Sequence, residues 1–174
     1  MLDGKEVLES KSDSTPKHSR HSGRGFPGVR LVDNIVIMGM GEPLDNPDAV
    51  FASIENLHSP SGCNLSRKKI TVSTSGIVPL MPLITKSGTR LAVSLNAVND
   101  EVRSYLMPIN KKWPLKELLD ACRTYCTETG DRVTFEYVLL KGITDSIQDA
   151  RDLFELTRDI PCKINIIPFN EHPG

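Results

Sequence analysis

The chain has 174 residues, 39% hydrophobic and 25% charged, with 21 Lys and Arg against 22 Asp and Glu for a net charge of -1. That is the make-up of one ordinary soluble domain, long enough to bury roughly 70% of its unfolded surface without staples. A near-neutral total sets up no global field for nucleic acid, so any RNA contact must come from local patches. No apolar run is long enough to span a bilayer, no signal-peptide core follows Met1, and the four cysteines are too irregularly spaced for a disulfide framework. The expectation is a cytoplasmic protein with reduced thiols and no membrane contact, an organellar location being left open.

Residues 1–30 do not read like the remainder. The stretch KSDSTPKHSRHSGRGFPG is polar and has almost nothing to bury, so 1–30 is expected to be a disordered or weakly ordered N-terminal tail. Lys17, His18, Arg20, His21 and Arg24 make it basic; a phosphate-binding arm is the alternative to a solvated tail. His18 and His21 have a usable metal spacing but no further ligand nearby, so a zinc site is rejected.

From Leu31 to Gly174 the pattern is regular and reads as one unit. Ile35-Val36-Ile37-Met38 is an unbroken apolar run, the signature of a strand buried on both faces. Gly39-Met40-Gly41-Glu42-Pro43 stops it with two glycines that permit a tight turn and an acid at the strand's carboxyl end. Asn46-Pro47-Asp48 opens a helix, Asn46 as N-cap, and Val50, Phe51, Ile54 and Leu57 carry it to about His58. Ile70 to Ser73 is the second strand, and Ile77 to Ile84 a short helix or turn interrupted by Pro79 and Pro82. Leu91 to Leu95 is the third strand, ending at Asn96; Asn99-Asp100-Glu101 starts a helix that Pro108 stops. Pro114 to Thr129 is the clearest helix, with Leu115, Leu118, Leu119, Cys122 and Cys126 on one face and Gly130 at the C-terminal cap. Val133 to Leu140 is the fourth strand. Ser146 and Asp149 resemble a capping pair for a helix whose apolar stripe is Ile147, Ala150, Leu153 and Phe154, and Lys163 to Ile167 is the fifth strand.

Strand and helix alternate five times without a hairpin signal, which predicts an α/β fold of mostly parallel strands. Every strand ends in small or polar residues: Gly41-Glu42, Ser73-Thr74-Ser75, Ser94 with Asn96, Glu136 and Asn170. In a parallel sheet these share one edge and read as a polar ligand site, although each taken alone is better explained by a cap or a turn.

The same stretches resemble the RlmN/Cfr family of radical S-adenosylmethionine RNA methyltransferases. The motifs are MGMGEPL at Met38 to Leu44, ITVSTSGIVP at Ile70 to Pro79, LAVSLNAVND at Leu91 to Asp100, MPINKKWPL at Met107 to Leu115, RVTFEYVLL at Arg132 to Leu140 and PCKINIIPFN at Pro161 to Asn170. The resemblance implies a partial (β/α) barrel of the radical-SAM, TIM-barrel-like type over 31–174, with S-adenosylmethionine across the strand ends. It implies that Gly41 and Glu42 hold the methionine ammonium and that Ser73 and Asn170 contact the same ligand. Ser94, Leu95 and Asn96 match a ligand-binding Ser-Leu-His, so Asn96 replaces the usual histidine and cannot carry its positive charge.

For the whole family protein the resemblance implies a [4Fe-4S] cluster, an electron donor, and methylation of adenine at C2 in large-subunit rRNA and some tRNAs, or at C8 in the Cfr branch. Family members bind the cluster through a CxxxCxxC motif upstream of the glycine turn, which this sequence lacks. Cys122 and Cys126 have CxxxC spacing, but Thr129 stands at the third position and both fall on a helix's apolar face, so they read as core thiols; Cys63 and Cys162 complete no triplet. The methyl-carrying cysteine and the general base have no counterpart either. The expectation is the middle of a methyltransferase, inactive alone, with a non-catalytic S-adenosylmethionine- or RNA-binding module, or a structural remnant, as alternatives. Arg67-Lys68-Lys69 and Lys111-Lys112 are candidate RNA-backbone contacts, with solvated surface as the equal alternative.

Overall fold

A computed structural model describes residues 32–170. The tail expected over 1–30, with its basic residues, lies outside the described residues. Five strands form one sheet: β1 (Ile35–Ile37), β2 (Ile70–Thr74), β3 (Arg90–Ser94), β4 (Val133–Leu139) and β5 (Cys162–Pro168). They pair in sequence order, every pair parallel. The crossovers carry α1 (Pro47–His58), α2 (Met81–Ser87), α3 (Asp100–Leu106) with α4 (Leu115–Thr129), and α5 (Ile147–Thr157). Successive βα units laid side by side make an open arc of a barrel, with neither edge paired further among the described residues. Among the described residues no helix is long and apolar enough to cross a membrane.

Local chemistry sets the helix ends. Gly130 ends α4 at φ +68°, a conformation glycine adopts without strain. Asn99 caps α3 by accepting from the Val102 N–H, and Ser146 with Asp149 forms a reciprocal capping box on α5. At α1, Asn46 occupies the cap position but its side chain makes no capping bond; its carbonyl accepts from the Val50 N–H, and Pro47 begins the helix.

The register separates two faces. Val72, Leu91, Val93, Val133, Phe135 and Tyr137 point outward and are buried with Ile84, Leu118, Cys122 and Tyr125 from the helices. The opposite, inward face carries Ser73, Ala92, Ser94, Thr134, Glu136, Lys163 and Asn165, as the pairs Ser73–Ala92, Ala92–Thr134, Ser94–Glu136 and Glu136–Asn165 require. A greasy layer under helices and a polar lumen is the division a barrel arc needs.

Two expectations are corrected. The run Ile35 to Met38 is not buried on both faces: Val36 is 53% and Met38 49% exposed. The run is an edge strand, and apolar character alone does not separate an edge from a central position. In α5 only Leu153 of the expected stripe is buried; Ile147 (76%) and Phe154 (65%) are exposed, as is Ala150. No further strand lies beyond β5 among the described residues, and Ile164 and Ile166 of β5 are exposed as well.

Candidate functional site

The strand-end rim is assembled around Glu42. Gly39 and Gly41 turn the chain after β1 at φ +128° and +95°, values that L side chains rarely adopt. They bring the Glu42 carboxylate across to the end of β2. There Oε2 accepts from the Ser75 N–H (2.6 Å) and the Ser75 hydroxyl (2.7 Å), while Oε1 accepts from the Leu44 N–H (3.0 Å). An ionised carboxylate has about four acceptor sites, so three hydrogen bonds leave capacity for one more donor. Gly41, Glu42, Ser73 and Ser94 line one shallow recess of about 80 Å³ with Met38, Thr74 and Ser75.

Behind this recess sits Arg103, wholly buried at 0% exposure. Its guanidinium donates to the carbonyls of Ser75 (2.7 Å), Ser94 (3.0 Å) and Leu95 (3.0 Å), and to Asn110 Oδ1 (2.9 Å). The Asn110 amide in turn donates to Asp100 and Ser104. Burial pulls the Arg103 guanidinium down to about 10, against the pull of Asp100, so it remains charged at neutral pH. One cation thus ties together the carbonyl ends of β2 and β3. Sequence reasoning assigned it no role, since a single Arg in a short amphipathic helix reads as surface.

The other expected residues are placed less uniformly. Leu95 is fully buried; its N–H donates to the Glu136 carbonyl and its own carbonyl accepts from Arg103, so its side chain is turned away from the rim recess. Asn96 adopts φ +58°, which Asn tolerates better than most residues. Its Oδ1 accepts from the Val138 N–H (3.1 Å) and its Nδ2 faces Met107 Sδ (3.3 Å), so both ends of the amide brace β4 and the segment after α3. Asn170 follows β5 at the same sheet edge and is exposed, without lining the recess.

Glu136, on the lumen face beside Ser94 and Asn165, is 8% exposed. Burial raises its carboxyl above the usual carboxylate value, with Ser73 and Asn165 hydrogen-bonding it and pulling the other way. It is a buried acid one strand from the rim serine, and its position in the strand-end row was its only signal in the sequence.

All four cysteines lie within the described residues. Cys122, Cys126 and Cys162 come close enough to interact, but on the outer, helix-covered face. Burial pushes the Cys122 thiol up to about 12 and raises Cys126 and Cys162 as well. Protonated core thiols are poor cluster ligands. Cys63 is exposed in the loop after α1, and no His, Cys, Asp or Glu group among the described residues suits a metal ion. The residues present therefore do not fit a [4Fe-4S] cluster, whereas the glycine turn and the spare acceptor of Glu42 fit an ammonium-bearing ligand. Of the expected RNA contacts, Arg67 is paired with Glu55, Lys68 with Asp131 and Lys69 with Asp33, while Lys112 lies over the Trp113 ring and Lys111 is exposed.

With this geometry in hand, the comparisons with known proteins agree on a lineage. The Radical SAM superfamily pattern matches residues 29–154. A dual-specificity RNA methyltransferase RlmN of Bdellovibrio bacteriovorus is 65% identical over 143 residues, which are 82% of this chain and 36% of that protein. The protein of the same name from Methylocella silvestris is 56% identical over 171 residues, 97% of this chain and 43% of its own length. The chain thus spans about two fifths of the length of such relatives. The crystal structure of a radical SAM methyltransferase from Sphaerobacter thermophilus superposes with a TM-score of 0.78 at 46% identity, covering 83% of this chain and 43% of that one. A domain of a pyruvate-formate lyase-activating enzyme from Bacteroides vulgatus shares the fold at a TM-score of 0.63 and 14% identity.

Proposed function

This chain belongs to the radical SAM superfamily, and on that premise we propose that its strand-end rim holds S-adenosylmethionine within a radical SAM RNA methyltransferase of the RlmN type. The observation that carries the reading is the convergence of Gly41, Glu42, Ser73 and Ser94 on one recess whose carboxylate keeps an acceptor site open. In this reading Glu42 and the glycine-turn carbonyls take the ligand's ammonium, a charge-assisted contact. Ser73 and Ser94 offer hydroxyls to its polar groups, and Asn170 closes the far side. Asn96 and Leu95 act through the backbone they hold in place. S-adenosylmethionine, when bound, supplies a sulfonium whose methyl and adenosyl groups are the transferable units.

The names of the relatives support RNA as the substrate of the whole protein and put a methyltransferase ahead of a non-catalytic module or a remnant. We carry over adenine C2 of large-subunit rRNA, with tRNA as a second target, an external electron donor, and a cytoplasmic location. Because its thiols do not fit a cluster, we infer that the chain alone would hold S-adenosylmethionine without cleaving it.

Calorimetry of the full chain with S-adenosylmethionine tests the reading. Binding is expected, and Glu42→Gln is expected to weaken it about tenfold, the loss of one charge-assisted hydrogen bond. No heat at about 1 mM ligand, where binding energy is only about 4 kcal/mol, overturns it. Anaerobic loading with iron and sulfide then reports on the thiols: a colourless product is expected, and a brown one with cluster absorption overturns the statement that they do not fit.

A further inference from the structure

At the opposite end of the sheet, where the strands begin, lies a recess of about 270 Å³ lined by Arg90, Gly130, Asp131, Arg132, Thr134 and Lys163. The register explains why its cations meet. Thr134 pairs with Lys163 on β5 and with Ala92 on β3, so Lys163 shares the inward face with Thr134. Arg90 stands two residues before Ala92 on β3, so strand alternation puts it on that same inward face, and Arg132, just before β4, lines the same recess. Three cations from three neighbouring strand starts therefore surround one hydroxyl.

Arg90, Arg132 and Lys163 make no ion pair or side-chain hydrogen bond with any other described residue, whereas Arg67, Lys68 and Arg123 each face a carboxylate. The only acid in the recess, Asp131, is taken by Lys68 from outside it. Like charges on adjacent strands repel, so three of them around one recess are destabilising until an anion lies between them. Arg forks and a Lys ammonium around a hydroxyl are the donor set that recognises phosphate oxygens.

We propose that this recess is a phosphate-binding site, separate from the rim at the other end of the strands, that takes the phosphate of a nucleotide or an RNA backbone. It does not depend on what the rim binds. The two arginines grip non-bridging oxygens, Lys163 adds a point charge from the edge strand, and the Thr134 hydroxyl donates from the floor.

The test uses the full chain with three probes: inorganic phosphate, AMP, and a twelve-nucleotide single-stranded RNA. Each is titrated into the parent protein, the Arg90→Ala/Arg132→Ala/Lys163→Ala variant, and a charge-matched control, Lys86→Ala/Lys116→Ala/Arg158→Ala, whose side chains are exposed elsewhere. Circular dichroism melts check that all three are folded. The recess variant is expected to bind about tenfold more weakly or worse, and to lower the slope of log affinity against log salt for the RNA by about 2, as three lost contacts require. Loss of RNA binding, with or without loss of the small anions, identifies a backbone site. Loss of phosphate and AMP alone identifies a site for a free phosphate ester. Unchanged binding of every probe, or an equal loss in the charge-matched control, overturns the proposal.

Discussion

The two halves of the rim are built differently although both are polar strand ends of one sheet. On the β1–β3 side the groups are tied to one another by hydrogen bonds. Ser75 donates its N–H and hydroxyl to Glu42 and gives its carbonyl to Arg103, which also holds Ser94 and Leu95. On the β5 side Asn165 and Asn170 are exposed on an edge strand whose outward Ile164 and Ile166 are also open. Hydrogen bonding makes the difference: Glu42 follows an edge strand too, but its carboxylate is anchored on Ser75 and Leu44 before a ligand arrives, whereas the exposed Asn170 is not held in this way. The affinity of the site is therefore expected to reside in the Glu42 half, with the β5 half contributing only once something orders it.

The largest effect tests the held half directly. Arg103→Met leaves the carbonyls of Ser75, Ser94 and Leu95 and the Asn110 oxygen without their donor in a buried setting. At about 1 kcal/mol or more for each orphaned acceptor, urea unfolding should report a loss of about 3–5 kcal/mol. Asn165→Ala, the counterpart on the edge, removes one hydrogen bond to Glu136 and should cost only about 1 kcal/mol. Similar losses for the two would remove the contrast.

Next in size is the ligand contact. Glu42→Gln turns one acceptor into a donor facing either Leu44 or Ser75, so about 1–2 kcal/mol of stability should accompany the tenfold loss of S-adenosylmethionine affinity. Asn170→Ala should cost only about threefold in affinity, the worth of a weak neutral hydrogen bond, and nothing in stability. A larger loss at Asn170 than at Glu42 would reverse the assignment of the two halves.

Glu136, between the halves, gives a pH signature. Its folded carboxyl is raised by burial, so the folded chain holds that proton over a wider pH range than the unfolded chain. Its contribution is then complete below the ordinary value of 4.5 and is lost as pH rises through the folded value. Glu136→Gln keeps the shape and removes the titration. The melting temperature of the variant relative to the parent should therefore be higher at pH 7 than at pH 4. No change in that difference with pH would mean that the acid is as well solvated as an edge residue.

How far the sequence spoke for the fold follows the same division. Helix α4 was readable because a 3.6-residue period and a terminal glycine are local signals, and the parallel order followed from the absence of hairpin turns. The edge position of β1 was not readable, because Ile35-Val36-Ile37 looks the same whether it has one neighbour or two. The stripe Ile147, Ala150 and Phe154 had the right period, but a period says which residues share a face and not what covers it. At the site, Glu42, Ser73 and Ser94 stood out as strand-end polar residues and the structure brings them together. Arg103 and the bracing role of Asn96 depend on contacts across 7 to 42 residues of sequence, with nothing local to announce them.

The most specific test of the open side is Ile166→Lys. Ile166 is 47% exposed on the outward face of β5, an edge strand among the described residues, on the same face as Ile164. Little burial is lost by replacing it, so unfolding stability should change by less than about 0.5 kcal/mol. Its exposed row of backbone donors and acceptors, however, is a template for another chain, and a lysine on an edge strand blocks that pairing. Light scattering of the purified protein should therefore fall on substitution, while Val36→Lys, on the shorter edge β1, should change it less because only three residues pair there. Equal scattering by the parent and both variants would mean that the apolar edge, although open, does not drive association.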